Sequence, residues 1–263
     1  MKQSKAVVQQ RQYQIRRLFV ERNSLQIAEV SKILGVSELT VRRDFSVLEQ
    51  EGFIRRFHGG GQLLSGDLPN APLYEDKDLL KQRQKQQIAR YISRLIQEKD
   101  TVFLNAGTTT LEVIKAINRK NVIIVTNNAP ACTVVDGTGA SLISTGGEFN
   151  PKTRSFTGIM AVQLIQKMCA QVCVLGVNGI SGTEGITTSN YMETMINDEF
   201  LNHCKGKRIV AADGSKIGKT FNFISAPIQS VDLLVTDSSA DTDALEKIRE
   251  RGIEIVLADQ IQD

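Results

Sequence analysis

Six residues in one short stretch could read nucleic acid: Ser37, Leu39, Thr40, Arg42, Arg43 and Ser46. Arginine can bridge the O6 and N7 of guanine, hydroxyls bind base edges or phosphate, and leucine packs on a thymine methyl. At 3.6 residues per turn, Leu39, Arg43 and Ser46 share one side of a helix, flanked by Thr40 and Arg42. That face suits a DNA major groove. A second group, Arg55, Arg56 and His58, follows in IRRFHGGG. Carried on a hairpin, it would project toward the DNA backbone or minor groove. His58 read alone is an ordinary surface histidine; beside two arginines in the wing it reads equally as a DNA contact.

Further candidates lie downstream. The run TVFL leads into Asn105-Ala106-Gly107-Thr108-Thr109-Thr110 and then a helix. Gly107 allows close backbone approach, and the hydroxyls of Thr108, Thr109 and Thr110 precede free helix N–H groups. Such a start binds anions and suits a sugar phosphate, although Gly-Thr-Thr also serves as a plain turn and cap. Asn127, Gly147, Asn178, Thr187 and Lys216 follow other apolar runs. Taken singly, each is a connecting turn. Together they fall at strand carboxyl ends, where open α/β sheets bind ligands.

Elements must hold these residues. Ile27, Val30, Ile33 and Leu34 have helical spacing, Gly35 stops that helix, and Ser37 caps the next. Val41, Phe45 and Leu48 stack on the inner side of the second helix. The spacing predicts an opening helix over 6–22, with Val8, Ile15, Leu18 and Phe19 apolar and Arg11, Arg16 and Arg17 polar. Phe53-Ile54 and Phe57 are expected to pair as wing strands, with Gly59-Gly60-Gly61 as the reversal. Residues 1–61 thus form a small winged helix-turn-helix domain, whose second helix enters the groove. Residues 62–74 hold Gly66, Pro69 and Pro72 and read as a linker. A polar helix is expected over about Glu75–Gln97. From Thr101 the apolar runs TVFLN, VIIVT, SLIST, QVCVLGV, KRIVAA, DLLVT and IEIVLA alternate with helical segments. Short runs that are apolar throughout predict a mostly parallel sheet buried on both faces, so residues 75–263 form a layered α/β domain.

SELTVRRD followed by LEQEGFIRRFHGG closely resembles the head of the DeoR family of bacterial transcriptional regulators. The likeness continues through NAGTTT, VTNN, GGEFNPKTRSFTG, LGVNGI, GITTSN and ADGSKIGK to the C-terminal VTD, over nearly the whole chain. It implies a DNA-binding head and a body with the fold of the ribose-5-phosphate isomerase and CoA-transferase group. It also implies response to a phosphorylated sugar or related metabolite. Under this resemblance Lys216, in DGSK, faces the pocket, where an ammonium could neutralise phosphate or bind sugar hydroxyls. Glu193 matches a family glutamate near the pocket, and reads equally as a first-turn helix acid. The family commonly shows Asp at the positions of Asn105 and Asn178. Isomerases of this fold use carboxylates there for proton transfer, which an amide cannot perform as a base. An amide can still bind sugar hydroxyls. The substitutions favour a sensor over the alternative, a sugar-phosphate isomerase or deaminase with a DNA-binding head. A third reading is an architectural DNA-binding protein whose body only mediates assembly.

Composition agrees. Residues 1–61 hold 11 Lys/Arg and 6 Asp/Glu, whereas the rest hold 21 and 23. A basic head on a faintly acidic body fits a head that meets DNA. No run approaches the roughly 20 apolar residues of a membrane span, and the N-terminus has no apolar export core. A cytoplasmic protein is expected. Cys132, Cys169, Cys173 and Cys204 form no C-x-x-C pair, and Cys173 reads as a buried strand thiol. With only two histidines, no zinc site, hydrolytic triad or cofactor is expected. The expected partners are double-stranded operator DNA, a phosphorylated sugar effector and a second copy of the chain.

Overall fold

The first helix, α1 (Lys5–Arg22), turns Ile15 and Phe19 inward and leaves Arg17 in solvent. The computed structural model describes residues 5–64 and 81–261. The chain splits into two units, Met1–Leu80 and Lys81–Asp263. The expected linker residues Gly66, Pro69 and Pro72, and the start of the polar helix at Glu75, lie outside the described residues.

In the first unit, α2 (Ile27–Leu34) ends at Gly35, whose φ of 64° is the left-handed conformation that glycine tolerates. α3 (Glu38–Gln50) starts at Ser37, whose hydroxyl accepts from the Thr40 N–H. Val41, Phe45 and Leu48 are fully buried, with the Phe45 ring 5.1 Å from that of Phe19 and tilted 53° to it. A strand that the sequence pattern did not announce, β1 (Ser24–Gln26), joins β2 (Ile54–Phe57) and β3 (Gly60–Leu63) in the order β1-β3-β2. The wing therefore differs from expectation. Phe57 pairs with Gly60, so the reversal is His58-Gly59, with Gly59 at φ 83°. Gly60 and Gly61 belong to the second strand. A Cβ on Gly60 would lie 2.5 Å from the Leu25 carbonyl oxygen, so the crossing of β1 and β3 requires glycine there. β3 also carries the head past residue 61, because Leu63 packs against its core.

Arg11 and Arg16, two of the polar positions of α1, are buried. Arg11 donates through Nε and Nη2 to the Asp44 carboxylate at 2.6 and 3.2 Å, and Gln12 Nε2 donates to it at 3.2 Å. Arg16 pairs with Glu51 and lies 4.7 Å over the Phe53 ring. These pairs tie α1 to α3 and to the residues that follow it.

In the second unit, α4 (Gln82–Leu95) buries Ile88, Ala89 and Ile92. The seven expected strands all form. They are β4 (Thr101–Leu104), β5 (Ile123–Thr126), β6 (Ser141–Ser144), β9 (Ala170–Gly176), β12 (Cys204–Ala211), β14 (Leu233–Thr236) and β15 (Glu254–Leu257). They make one sheet, β15-β14-β12-β9-β4-β5-β6, with every neighbouring pair parallel. Alternate residues enter two cores. Val102, Leu104, Val172 and Val174 face one, together with α4 and α5 (Thr108–Ile117). Phe103, Cys173 and Leu175 face the other, together with α7 (Ile159–Ile165), α8 (Tyr191–Asn202) and α9 (Thr242–Arg249). The short α6 (Ala131–Val134) precedes β6. Two small antiparallel sheets escaped the sequence reading. One is the hairpin of β7 (Glu148–Asn150) and β8 (Ser155–Thr157). The other orders β10 (Gly179–Ser181), β11 (Gly185–Thr188) and β13 (Phe223–Ala226) side by side. No helix among the described residues is long and apolar enough to cross a membrane.

Candidate DNA interface and effector site

On α3, Leu39 stands 60% exposed at the start of the recognition face. Arg43 is exposed and makes no ion pair among the described residues; the Arg42 guanidinium lies 3.7 Å from the Glu38 carboxylate. The three hydroxyls are committed locally. Ser37 caps the helix and lies 2.9 Å from Thr40 Oγ1. Ser46 donates to the Arg42 carbonyl oxygen at 2.9 Å and accepts from Arg56 Nη1 at 2.8 Å. Arg55 and His58 are exposed on the wing. Arg56, expected to project with them, turns back onto α3, because neighbours along a strand point to opposite faces.

In the second unit the sheet order reverses between β4 and β9, the first and fourth of its strands in chain order. The carboxyl ends of strands flanking such a reversal open a crevice, the general ligand site of open α/β sheets. Asn105 follows β4 there and is 4% exposed. Its Nδ2 donates to the Gly176 carbonyl oxygen and to Asn197 Oδ1, both at 2.8 Å, while its Oδ1 accepts from the Gly176 N–H at 2.8 Å. Both amide protons are therefore used. Asn105 is a clamp across the reversal and has no donor left for a sugar. Asn197, also buried, passes the contact to Ser225 Oγ at 3.2 Å.

α5 begins at Gly107 with no side chain capping it, so its first-turn N–H groups lack intrahelical acceptors. Thr108 and Thr109 are buried at that start. Thr110 is also buried and donates to the Asn105 and Gly107 carbonyl oxygens at 2.7 and 3.1 Å, so its hydroxyl braces the loop. Asn127 and Asn128 follow β5, the neighbour of β4. Asn127 Nδ2 donates to the Phe156 carbonyl oxygen and Asn128 Nδ2 to that of Gly107, each at 2.9 Å, and neither Oδ1 has a partner among the described residues.

Asn178, Thr188, Asn190 and Glu193 form a second cluster beyond β9. The Thr188 hydroxyl donates to Glu193 Oε2 at 2.7 Å and reaches Asn178 Oδ1 at 3.4 Å. Asn190 caps α8, and Glu193 occupies its first turn. Thr187 is fully buried: it donates to Gly179 at 3.4 Å and accepts from the Phe221 N–H at 3.0 Å. Gly147, at φ 103°, is exposed before β7, where a Cβ would meet the Thr157 carbonyl oxygen at 2.4 Å. Its role there is backbone geometry.

Lys216 ends a 3-10 turn, Gly214–Lys216, just beyond β12. Asp213 caps that turn, accepting from the Ser215 N–H at 3.1 Å. Gly214 is fixed in turn by Asp237 Oδ2, at 2.8 Å from its N–H. The Lys216 ammonium is half-buried and makes no hydrogen bond or ion pair among the described residues. The ends of β5, β4, β9 and β12 are contiguous, so Asn127, Asn105, the Gly107–Thr110 turn, Asn178 and Lys216 share one edge. Asn197 was missed by the sequence reading, which offered no signal for it, whereas Asn128 and Asp213 already stood in the strand-end runs VTNN and DGSK.

All four cysteines are free, and burial in β9 raises the Cys173 thiol well above its usual range. No group of three His, Cys, Asp or Glu able to hold a metal occurs among the described residues.

A winged helix-turn-helix head and an α/β body whose polar residues gather at the strand carboxyl ends are the parts of a DNA-binding regulator with a sensor domain. The chain belongs to the DeoR family: residues 11–66 match the DeoR-like helix-turn-helix domain and residues 80–238 the DeoR C-terminal sensor domain. An HTH-type transcriptional regulator of Haemophilus influenzae is 31% identical over 97% of this chain and 99% of its own. The transcriptional repressor AccR of Agrobacterium fabrum is 33% identical, over 92% and 94%. The lactose phosphotransferase system repressor of Streptococcus mutans is 29% identical, over 91% and 96%. Ribose 5-phosphate isomerase A of Methanocaldococcus jannaschii is 12% identical with a TM-score of 0.37, over 50% of this chain and 52% of that one. At that distance the likeness says nothing about activity.

Proposed function

We propose that this protein is a repressor of carbohydrate-metabolism genes, controlled by a phosphorylated sugar bound in the strand-end crevice. The observation that carries the reading is the pairing of an uncapped helix start at Gly107–Thr110 with the uncommitted ammonium of Lys216 on the same edge. Both favour a phosphate. Asn178 and Glu193 are the polar groups for sugar hydroxyls, and Asn127 keeps an unpartnered oxygen at the neighbouring strand end. Relatives named as repressors, one of a sugar phosphotransferase system, support the sign and the class of genes. A DNA-directed role supports a cytoplasmic protein.

Lys216→Ala is expected to abolish the effector response while leaving effector-free operator binding near the parent's. Thr108→Ala is expected to weaken effector binding in the same direction. An operator-binding titration with and without candidate sugar phosphates measures both, and two variants that respond like the parent would rule out this crevice. Turnover of pentose or amino-hexose phosphates at enzyme-like rates would favour the isomerase reading instead. Failure of every metabolite to raise the melting temperature would favour the architectural one.

At the DNA, Arg42 and Arg43 are the candidate base readers, with Leu39 on a thymine methyl and Arg55 and His58 on the backbone or minor groove. Loss of a base-reading arginine should cost about 1–3 kcal/mol on the true operator. A phosphate contact would instead weaken all sequences alike and flatten the salt dependence. Two heads on paired half-sites imply at least a homodimer. A monomer in sedimentation at micromolar concentration, on and off DNA, would contradict that.

A further inference from the structure

Arg56 lies in the most basic part of the wing, yet its backbone N–H and its Nη1 are engaged inside the head, while its Nε is buried there without a partner among the described residues. Its backbone N–H donates to Glu49 Oε1 at 3.2 Å, and its Nη1 donates to Ser46 Oγ at 2.8 Å and lies 3.9 Å from Glu49 Oε2. Ser46 is held in turn by the Arg42 carbonyl oxygen. One guanidinium and one carboxylate thus join the wing strand to the second half of the recognition helix. Arg55, its neighbour, faces the other way and is exposed without a partner among the described residues.

We propose that Arg56 and Glu49 form a latch that sets the angle between wing and recognition helix. Arg56 is then a positioning residue for DNA binding, and Arg55 and His58 make the wing's contacts. The second half of the latch gives the idea its sharpest consequence. Glu49 is an exposed acid on the DNA-facing module, where a negative charge is repelled by phosphates. Electrostatics alone therefore says that removing it tightens binding. A latch says the reverse, because the freed wing must be ordered again on DNA.

The test uses the full chain and its operator, once identified, with binding measured across a salt series. Glu49→Ala is expected to weaken operator binding by roughly three- to tenfold, the size of one or two lost hydrogen bonds. Glu49→Gln, which keeps an acceptor for the Arg56 N–H, should fall between Glu49→Ala and the parent. Unchanged or tighter binding by Glu49→Ala overturns the proposal. A double-variant cycle keeps the question open to refutation even if one variant melts early. With a latch, Arg56→Gln adds little once Glu49 is alanine. If Arg56 contacts phosphate itself, its loss costs the same in both backgrounds and lowers the salt slope by about 0.9 each time. That result would also overturn the proposal.

Discussion

Asp44→Ala is expected to abolish operator binding by unfolding the head, although Asp44 faces away from the recognition surface. Its carboxylate is 2% exposed and takes three hydrogen bonds from α1. Without it, the buried guanidinium of Arg11 loses the carboxylate that Nε and Nη2 bond. Breaking a buried pair from one side costs about 3–5 kcal/mol. A domain of roughly 60 residues has a total stability of that order. Operator titration and thermal unfolding of the full chain should show the head lost while the sensor's transition stays in place. The pair can also be removed from both sides. Arg11→Met with Asp44→Leu should recover much of the stability, since a buried ion pair is often replaceable by apolar groups of like volume. An Asp44→Ala chain that binds operator like the parent would refute this account of α1.

The second large effect concerns Asn105→Asp. The change is isosteric, yet the new carboxylate would face the Gly176 carbonyl oxygen, which now accepts a proton from Asn105 Nδ2 at 2.8 Å. Burying that charge against an acceptor costs about 3 kcal/mol or more. In a sensor of this size the melting temperature should fall by roughly 6–12 °C at neutral pH. The sign of the pH dependence follows. Burial and the facing carbonyl raise the folded-state pKa of the new acid, so its protonated form is the stable one. The penalty is absent below about pH 4, the unfolded value, and grows as pH rises through that point. Asn105→Ala removes the clamp without the charge and should show no such trend. A melting temperature of Asn105→Asp that equals the parent's at pH 7 would sink the clamp.

Both predictions turn on contacts that the sequence did not display. Apolar periodicity located α2, α3 and all seven strands of the large sheet, because each buries a stripe or a run long enough to read. Gly35 and Ser37 were legible because a stop and a cap act within a few residues. Arg11 was not. Spacing assigns a charge to the wet face, and only the meeting of α1 with α3, 33 positions away, reverses that. β1, with three residues, is too short to show alternation, and it exists because β3 offers it an edge. In the sensor, the strand-end positions could be collected on one edge from the sequence. Their individual roles could not. Asn105 and Thr110 resemble ligand groups in the linear text, and in the fold they brace backbone. Lys216 kept its candidacy because nothing nearby claims its charge.

The single reversal in the sheet has a consequence for how this sequence can drift over generations. The chain builds β4, β5 and β6 outward in one direction, then returns to build β9, β12, β14 and β15 outward in the other. In the large sheet the two halves are joined by one ladder, Val102, Phe103 and Leu104 beside Val172, Cys173 and Val174, and all six are buried. A larger side chain on one of these strands must be met by a smaller neighbour, since a packed interior has no slack. The outermost strands are held less tightly. Leu142, Ile143, Ile255, Val256 and Leu257 pack against the two cores, but each residue of β6 and β15 stays at least partly in solvent, which leaves room for change. Divergence among descendants of this chain should therefore gather at the two flanks of the sheet, with compensating pairs at its centre.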